Sequence, residues 1–157
     1  VRKVLVSACL LGDAVRYDGQ SKGAPHPVLS RWIAEGRVVK VCPEVAGGLP
    51  VPRPPAEQQP DGRVLTRAGA DVTPAFERGA AEALRLARAH DVVCAVLKEG
   101  SPSCGSGFVY DGTFTRRALH GGLGVTARLL RGEGIAVFSE LQWAEAGALV
   151  DRVDPAR

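Results

Sequence analysis

The sequence predicts an α/β fold: a single compact domain over residues 1–157, mainly a parallel sheet with helices on both faces in a Rossmann-like three-layer arrangement. Three observations lead there. Short apolar runs without polar alternation recur along the chain, as strands buried on both faces require. Segments of helical periodicity separate them, which is the alternation that builds a parallel sheet. The composition, 45% hydrophobic and 24% charged over 157 residues, is that of one well-formed core, and no repeat or linker divides it.

The elements follow in order. Lys3 to Cys9 is a short apolar run that reads as the first strand, and a loop is expected from Leu10 to Gly23. A helix is predicted from Pro27 to Glu35, with Val28, Leu29, Trp32 and Ile33 on one face and Gly36 suited to the position after its end. Arg37 to Val41 reads as the second strand and runs into Cys42-Pro43-Glu44. Residues 43–62 are rich in proline and glycine, lack periodicity and are expected to be a stiff loop. From Pro74 to His90 the pattern is helical, with Thr73 as the expected cap and Phe76, Ala80, Ala83, Leu84 and Ala87 along one stripe. Asp91 to Leu97 is the third strand, followed by Lys98-Glu99-Gly100-Ser101-Pro102-Ser103-Cys104-Gly105. A turn or hairpin is expected around Asp111-Gly112, then a helix from Leu123 to Arg131 and a fourth strand from Ile135 to Phe138.

Charge and hydropathy exclude some classes of function. The net charge of +3 is spread along the chain and makes no dense basic face, so no nucleic acid polymer is expected as a partner. No apolar run approaches a membrane span, and the segment before Ser7 is too short for a secretory core, so no membrane partner and a cytoplasmic location are expected. In that reducing compartment four cysteines are not expected to form disulfides. They are not paired as C-x-x-C either, which argues against zinc knuckles and thioredoxin-like chemistry.

In open parallel sheets, ligands gather beyond the carboxyl ends of the strands. Cys9 ends the first strand, Cys42 ends the second, and Cys104 lies shortly past the third, so the three are expected to face one crevice. Cys94 lies within the third strand and reads as a small buried hydrophobe. Glycine and proline around the other three allow close approach of backbone to a ligand. Three thiolates suit a 4Fe–4S cluster with one iron open, whereas a structural zinc ion wants a fourth ligand, and His26, His90 and His120 stand at no knuckle spacing from a cysteine. Glu44, Ser101 and Ser103 stand near the cysteines and could do proton work. Two other readings remain open at this point: a non-catalytic iron–sulfur or zinc-binding module, and a hydrolase using Ser103 or Cys104 as nucleophile with His26 or His120 as base.

The residues also carry a resemblance. Val6-Ser7-Ala8-Cys9-Leu10-Leu11-Gly12 with Val15-Arg16-Tyr17-Asp18-Gly19 resembles the opening motif of the thiouracil desulfidase family, long catalogued as a domain of unknown function. The likeness continues through Cys42-Pro43-Glu44, Gly47-Gly48-Leu49 and Pro52-Arg53-Pro54-Pro55-Ala56-Glu57. It resumes at Lys98 to Gly105 and at Gly124-Val125-Thr126-Ala127 through Ser139-Glu140. The resemblance implies a compact α/β fold that holds a 4Fe–4S cluster on Cys9, Cys42 and Cys104, with the fourth iron open to substrate. It implies redox-neutral removal of sulfur from a small thiolated heterocycle such as thiouracil, with release of hydrogen sulfide. Glu44 and Ser101 match its catalytic positions, the first to activate water and the second to assist by a hydrogen bond to developing charge. Ser103 and Arg53 lie in the matched motifs as substrate-binding residues. Such chemistry is physically reasonable, since a soft thiocarbonyl sulfur suits an open iron acting as a Lewis acid.

Overall fold

A computed structural model describes residues 1–13, 16–19 and 26–155. Four parallel strands form the main sheet: β1 (Val4–Ser7), β2 (Val38–Val41), β5 (Cys94–Leu97) and β8 (Ala136–Ser139), in the order β2-β1-β5-β8. Helices α1 (Pro27–Ala34), α2 (Pro43–Ala46), α3 (Thr73–Ala89), α4 (Val125–Gly132) and α5 (Trp143–Val153) surround it. Two antiparallel ribbons lie outside the sheet, β3 (Ala56–Gln58) with β4 (Val64–Thr66) and β6 (Phe108–Tyr110) with β7 (Ala118–His120).

The predicted burial on both faces holds for the central strands, since every residue of β1 and β5 is buried. The edge strands β2 and β8 are only partly covered. On one face Leu5, Ala95, Leu97 and Val137 pack against Ala83 and Ala87 of α3 and Ala127 and Leu130 of α4. On the other, Val4, Val6, Cys94 and Val96 pack against Leu29 and Trp32 of α1 and Trp143, Ala146 and Val150 of α5. The side chains of Trp32 and Phe76 are almost entirely buried, and a fully buried side chain of this kind contributes about 1.5–3 kcal/mol.

Several local expectations need correction. Ile33 is 55% exposed, so the buried stripe of α1 is narrower than its apolar pattern and rests on Leu29 and Trp32. Thr73 does not cap α3 with its side chain; its Oγ1 instead accepts the Val64 N–H at 2.8 Å, tying the helix to β4. Residues 43–62 are not a continuous loop, because they contain α2 and β3. Pro43 there opens a helix, where its missing N–H costs nothing, and elements of three or four residues are too short to display a period. Helix α5 was not anticipated, although Trp143, Ala146 and Val150 form its buried stripe. The expected loop from Leu10 to Gly23 lies partly outside the described residues; its start is a 3-10 turn, Ala8–Leu11.

The chain leaves β1 for β2 on one side and continues from β5 to β8 on the other, so the order reverses between β1 and β5. This reversal opens a crevice at the carboxyl ends of the strands, where doubly wound sheets bind ligands. The floor beside it is set by close contact between α2 and α3. A Cβ on Gly79 would lie 1.8 Å from the Pro43 carbonyl oxygen, and one on Gly47 would lie 1.9 Å from that of Ala75. Gly79→Ala is therefore expected to lower stability by about 1–3 kcal/mol, the usual cost of overpacking. Urea denaturation checks this, and a midpoint equal to wild type would mean that the helices are not locked together here.

Candidate functional site

Each cysteine near the crevice is placed by a different strand end. Cys9 sits in the 3-10 turn directly after β1, which closes at Gly12 with φ +97°. Cys42 follows β2 and stands at the N-terminal cap position of α2, with Pro43 opening the helix. Cys104 lies in the loop after β5. All three line one cavity of about 350 Å³, together with Glu44, Arg53, Ser101 and Lys98. Cys94 lies elsewhere, fully buried within the core against α1 and α5. No disulfide joins any of the four.

The loop bearing Cys104 is held by bonds that do not involve its sulfur. Ser101 Oγ accepts the N–H groups of Ser103 (3.1 Å) and Cys104 (3.2 Å). Glu99 Oε1 accepts those of Ser106 and Gly107, both at 2.9 Å, and Phe108 at 3.2 Å. Burial works to raise the Glu99 carboxyl, but these backbone donors outweigh it and hold the group below its ordinary range. The first turn of α4 closes the loop from behind, with Thr126 N–H on the Ser103 carbonyl at 2.8 Å and Val125 N–H on that of Pro102 at 3.0 Å. Gly124 permits this approach, because a Cβ there would come within 2.4 Å of Ser103.

Glu44 is fixed at both oxygens. Oε2 receives Arg53 Nε at 2.8 Å and Nη2 at 2.6 Å, and Oε1 receives the Ser101 hydroxyl at 3.2 Å. Arg53 is itself buried and donates through Nη1 to the Pro50 carbonyl at 3.1 Å. Its guanidinium thus borders the cavity as the partner of Glu44. Ser103, expected beside the substrate, is not brought there: its side chain is fully buried and shares a 2.8 Å hydrogen bond with Thr126 Oγ1. The sequence reading missed Lys98, whose Nζ meets Glu140 at 2.9 Å and the Glu99 carbonyl at 2.9 Å. Position alone, directly after β5, could have marked it.

Burial is the main cause that raises the proton affinity of every thiol in the site. Cys9 is pushed up to about 11, by burial first and then by the neighbouring Cys42. Cys104 is raised further, by burial and then by Glu44 and Cys9, and Cys42 is raised chiefly by burial. Unliganded, burial opposes the ionisation of all three sulfurs, whereas a bound cationic centre would favour the thiolates. Two thiolates on one tetrahedral zinc ion lie only about 3.8 Å apart, given Zn–S bonds of about 2.3 Å. Among the described residues no group of three His, Cys, Asp or Glu side chains is gathered closely enough for a single ion. Three cysteine thiols lining one cavity are a donor set of the kind that an iron–sulfur cluster takes.

The hydrolase reading loses its parts here. The Ser103 hydroxyl is sequestered by Thr126. His26 stacks on Trp143 and accepts the Val28 N–H, while His120 lies against Phe108; neither lines the cavity. No helix among the described residues is long and apolar enough to cross a membrane.

Comparison with known proteins bears on the same residues. A family model described as 2-thiouracil desulfurase matches residues 4–142. The chain is 40% identical over 146 residues to the uncharacterized protein YbbK of Bacillus subtilis strain 168, covering 87% of this chain and 95% of YbbK. Among solved structures it is similar to the 4Fe–4S-dependent thiouracil desulfidase TudS, with 53% sequence identity and a TM-score of 0.93, covering 97% of this chain and 99% of that one.

The raised thiols make stability depend on pH in a defined direction. Cys9 and Cys94 stand at about 11 and about 12 in the folded protein, against an ordinary value of 9.0. Above about pH 9 the unfolded chain therefore loses thiol protons that the folded chain keeps, and stability must fall as pH rises. Each such thiol contributes a slope of up to about 1.4 kcal/mol per pH unit. Denaturation of metal-free, reduced protein between about pH 8 and about pH 11 should show this decline, and Cys94→Ala should make it shallower. A flat profile would show that burial does not hold these thiols protonated.

Proposed function

Because this chain belongs to the 2-thiouracil desulfurase family, we propose that it is an iron–sulfur-dependent desulfidase acting on a small thiolated heterocycle such as thiouracil. What carries the reading is the meeting of Cys9, Cys42 and Cys104 in one cavity beside a carboxylate, Glu44, fixed by Arg53 and Ser101. The similarity to a 4Fe–4S-dependent thiouracil desulfidase supports the choice of cofactor and substrate class. Cys9, Cys42 and Cys104 would hold the cluster. A 4Fe–4S centre on three thiolates supplies an open Lewis-acidic iron with affinity for soft sulfur. The reaction takes place in the cytoplasm, where a reducing environment keeps the thiols available.

The overall change is hydrolytic. Water supplies the oxygen that replaces sulfur on the ring carbon and the protons that leave with hydrogen sulfide, so no electron donor is required. Glu44 lines the cavity, and its Oε1 has a lone pair beyond the one that receives Ser101. That oxygen takes the proton from the attacking water, while Arg53 on Oε2 prevents the carboxylate from turning away. Once Oε1 carries a proton it no longer draws the Ser101 hydroxyl, which is then able to donate to charge developing on the ring. Arg53 acts on the substrate through Glu44, and Ser103 supports the Cys104 loop from within the core.

The test is a sulfide assay without added reductant on anaerobically purified protein, with iron content measured alongside. Wild type should release hydrogen sulfide from 2-thiouracil or 4-thiouracil. Glu44→Gln should keep its cluster and lose about two to four orders of magnitude in rate, the usual contribution of a general base. Ser101→Ala should lose about two orders at equal iron content. Serine at position 9, 42 or 104 should lower iron occupancy, whereas Cys94→Ser should keep it. Equal rates for wild type and Glu44→Gln at equal iron content would remove Glu44 from the mechanism, and loaded wild type that releases no sulfide would leave only a cluster-binding module.

A further inference from the structure

Outside the main sheet the two ribbons meet at the edge of the cavity, joined by a buried carboxylate that the proposed chemistry does not use. Glu57 of β3 is 7% exposed and lines the cavity. Its Oε1 accepts the N–H groups of Gly112 at 3.0 Å and Phe114 at 3.2 Å, both in the turn between β6 and β7. Gln59 Nε2 donates to the Gly112 carbonyl at 3.2 Å, and Arg67 Nη2 donates to that of Phe114 at 3.0 Å. Gly112 has φ +93°, and a Cβ there would come 2.7 Å from the Gln58 carbonyl oxygen, so the ribbon backbones are in contact.

The turn held in this way is not one that its residues favour. Phe114 and Arg116 are non-glycine residues at φ +60° and +62°. Left-handed backbone at such residues persists only where the surroundings over-determine it. Its consequence is the placement of Arg116, whose guanidinium lies 4.8 Å over the Tyr110 ring. Both residues line the cavity. Arg117 reaches Asp111, but Arg116 pairs with no carboxylate among the described residues. A guanidinium stacked on an aromatic face keeps its in-plane N–H donors available for an acceptor.

We propose that Glu57 is a positioning residue that clamps the β6–β7 turn and so presents Arg116 to an acceptor oxygen of the substrate as a binding contact. The inference rests on the reading that a thiolated heterocycle occupies this cavity. The ring carbonyl of a thiouracil supplies such an oxygen. Arg116 stands on a ribbon that carries neither the three cysteines nor Glu44, so the contact governs affinity and leaves the chemical step to those residues.

The experiment is steady-state kinetics with 4-thiouracil on cluster-loaded wild type, Glu57→Ala, Glu57→Gln, Arg116→Ala and the Glu57→Ala/Arg116→Ala double variant. Amide hydrogen exchange at residues 112–114 is followed in parallel. Glu57→Ala and Arg116→Ala should each raise KM about tenfold with kcat within about twofold of wild type, the size of one charge-assisted hydrogen bond. Glu57→Gln should stay near wild type, because a carboxamide oxygen still accepts both N–H groups. The double variant should be no worse than Arg116→Ala, and exchange at residues 112–114 should quicken in Glu57→Ala but not in Arg116→Ala. Unchanged KM in Arg116→Ala, a loss confined to kcat, or additive effects in the double variant would each overturn the inference while leaving the desulfidase reading intact. Loaded wild type that releases no sulfide from 4-thiouracil would overturn that reading and the inference with it.

Discussion

Burial of three thiols in one cavity is the constraint on which the rest of the site depends. Burial is the first cause that raises Cys9, Cys42 and Cys104 alike; Cys42 adds to it at Cys9, and Cys9 and Cys42 add to it at Cys104. Sulfurs in that position contribute little to their own placement, so the backbone that carries them must be fixed independently. Cys9 is fixed by its strand and the turn that closes at Gly12. Cys42 is fixed by α2, which lies in backbone contact with α3 at Gly47 and Gly79. Cys104, farthest from its strand, needs the most support and receives it from Ser101, the Glu99 carboxylate and the N-terminal turn of α4.

That division explains why two polar residues of the Cys104 motif have different fates. Ser101 turns toward Glu44 and accepts two loop N–H groups, so one hydroxyl joins the scaffold of the cysteine to the carboxylate of the cavity. Ser103 turns toward Thr126 and anchors the loop to α4. The pairing of Glu44 with Arg53 follows a similar logic. A buried carboxylate with a single guanidinium partner is costly to leave unpaired, and Arg53 in turn bonds the Pro50 carbonyl and, through its N–H, the Tyr17 carbonyl at 2.7 Å. Fixing Glu44 therefore orders two loops at the rim as well.

The main sheet was legible in the sequence because β1, β5 and β8 are short, largely apolar runs and β2 is one broken only by Lys40, and the periodic stripe of α3 left no competing reading. The convergence of the cysteines was legible for the same reason, since strand ends in a parallel sheet share one edge. What stayed hidden is what two-residue and three-residue spacings cannot encode. The β3–β4 ribbon is too short for a period and lies in a proline-rich stretch. The direction of the Ser103 side chain depends on Thr126 of α4, which follows 23 residues later, on the far side of a hairpin. Nothing in the sequence marks Glu57 and Glu99 as acceptors, yet each takes backbone N–H groups that would otherwise be stranded in tight turns.

The separation of parts has a consequence for specificity. Cys9 and Cys42 directly follow strands of the main sheet, Glu44 lies in α2, and Cys104 lies in a loop backed by α4; the central strands are fully buried and cannot shift without disturbing both faces of the core. Tyr110 and Arg116 stand on a ribbon of three-residue strands, whose turn is held to the β3–β4 region by side-chain-to-backbone hydrogen bonds. Such bonds are replaceable one at a time, at about 0.5–1.5 kcal/mol each, whereas a packed core resists even the addition of one methyl group. Changes to the ribbon can therefore reshape the cavity for a different heterocycle while the three thiols and the carboxylate keep their geometry. A rigid wall and an adaptable wall of one cavity are most readily combined by placing them on different elements, and here the three thiols and the carboxylate stand apart from the ribbon.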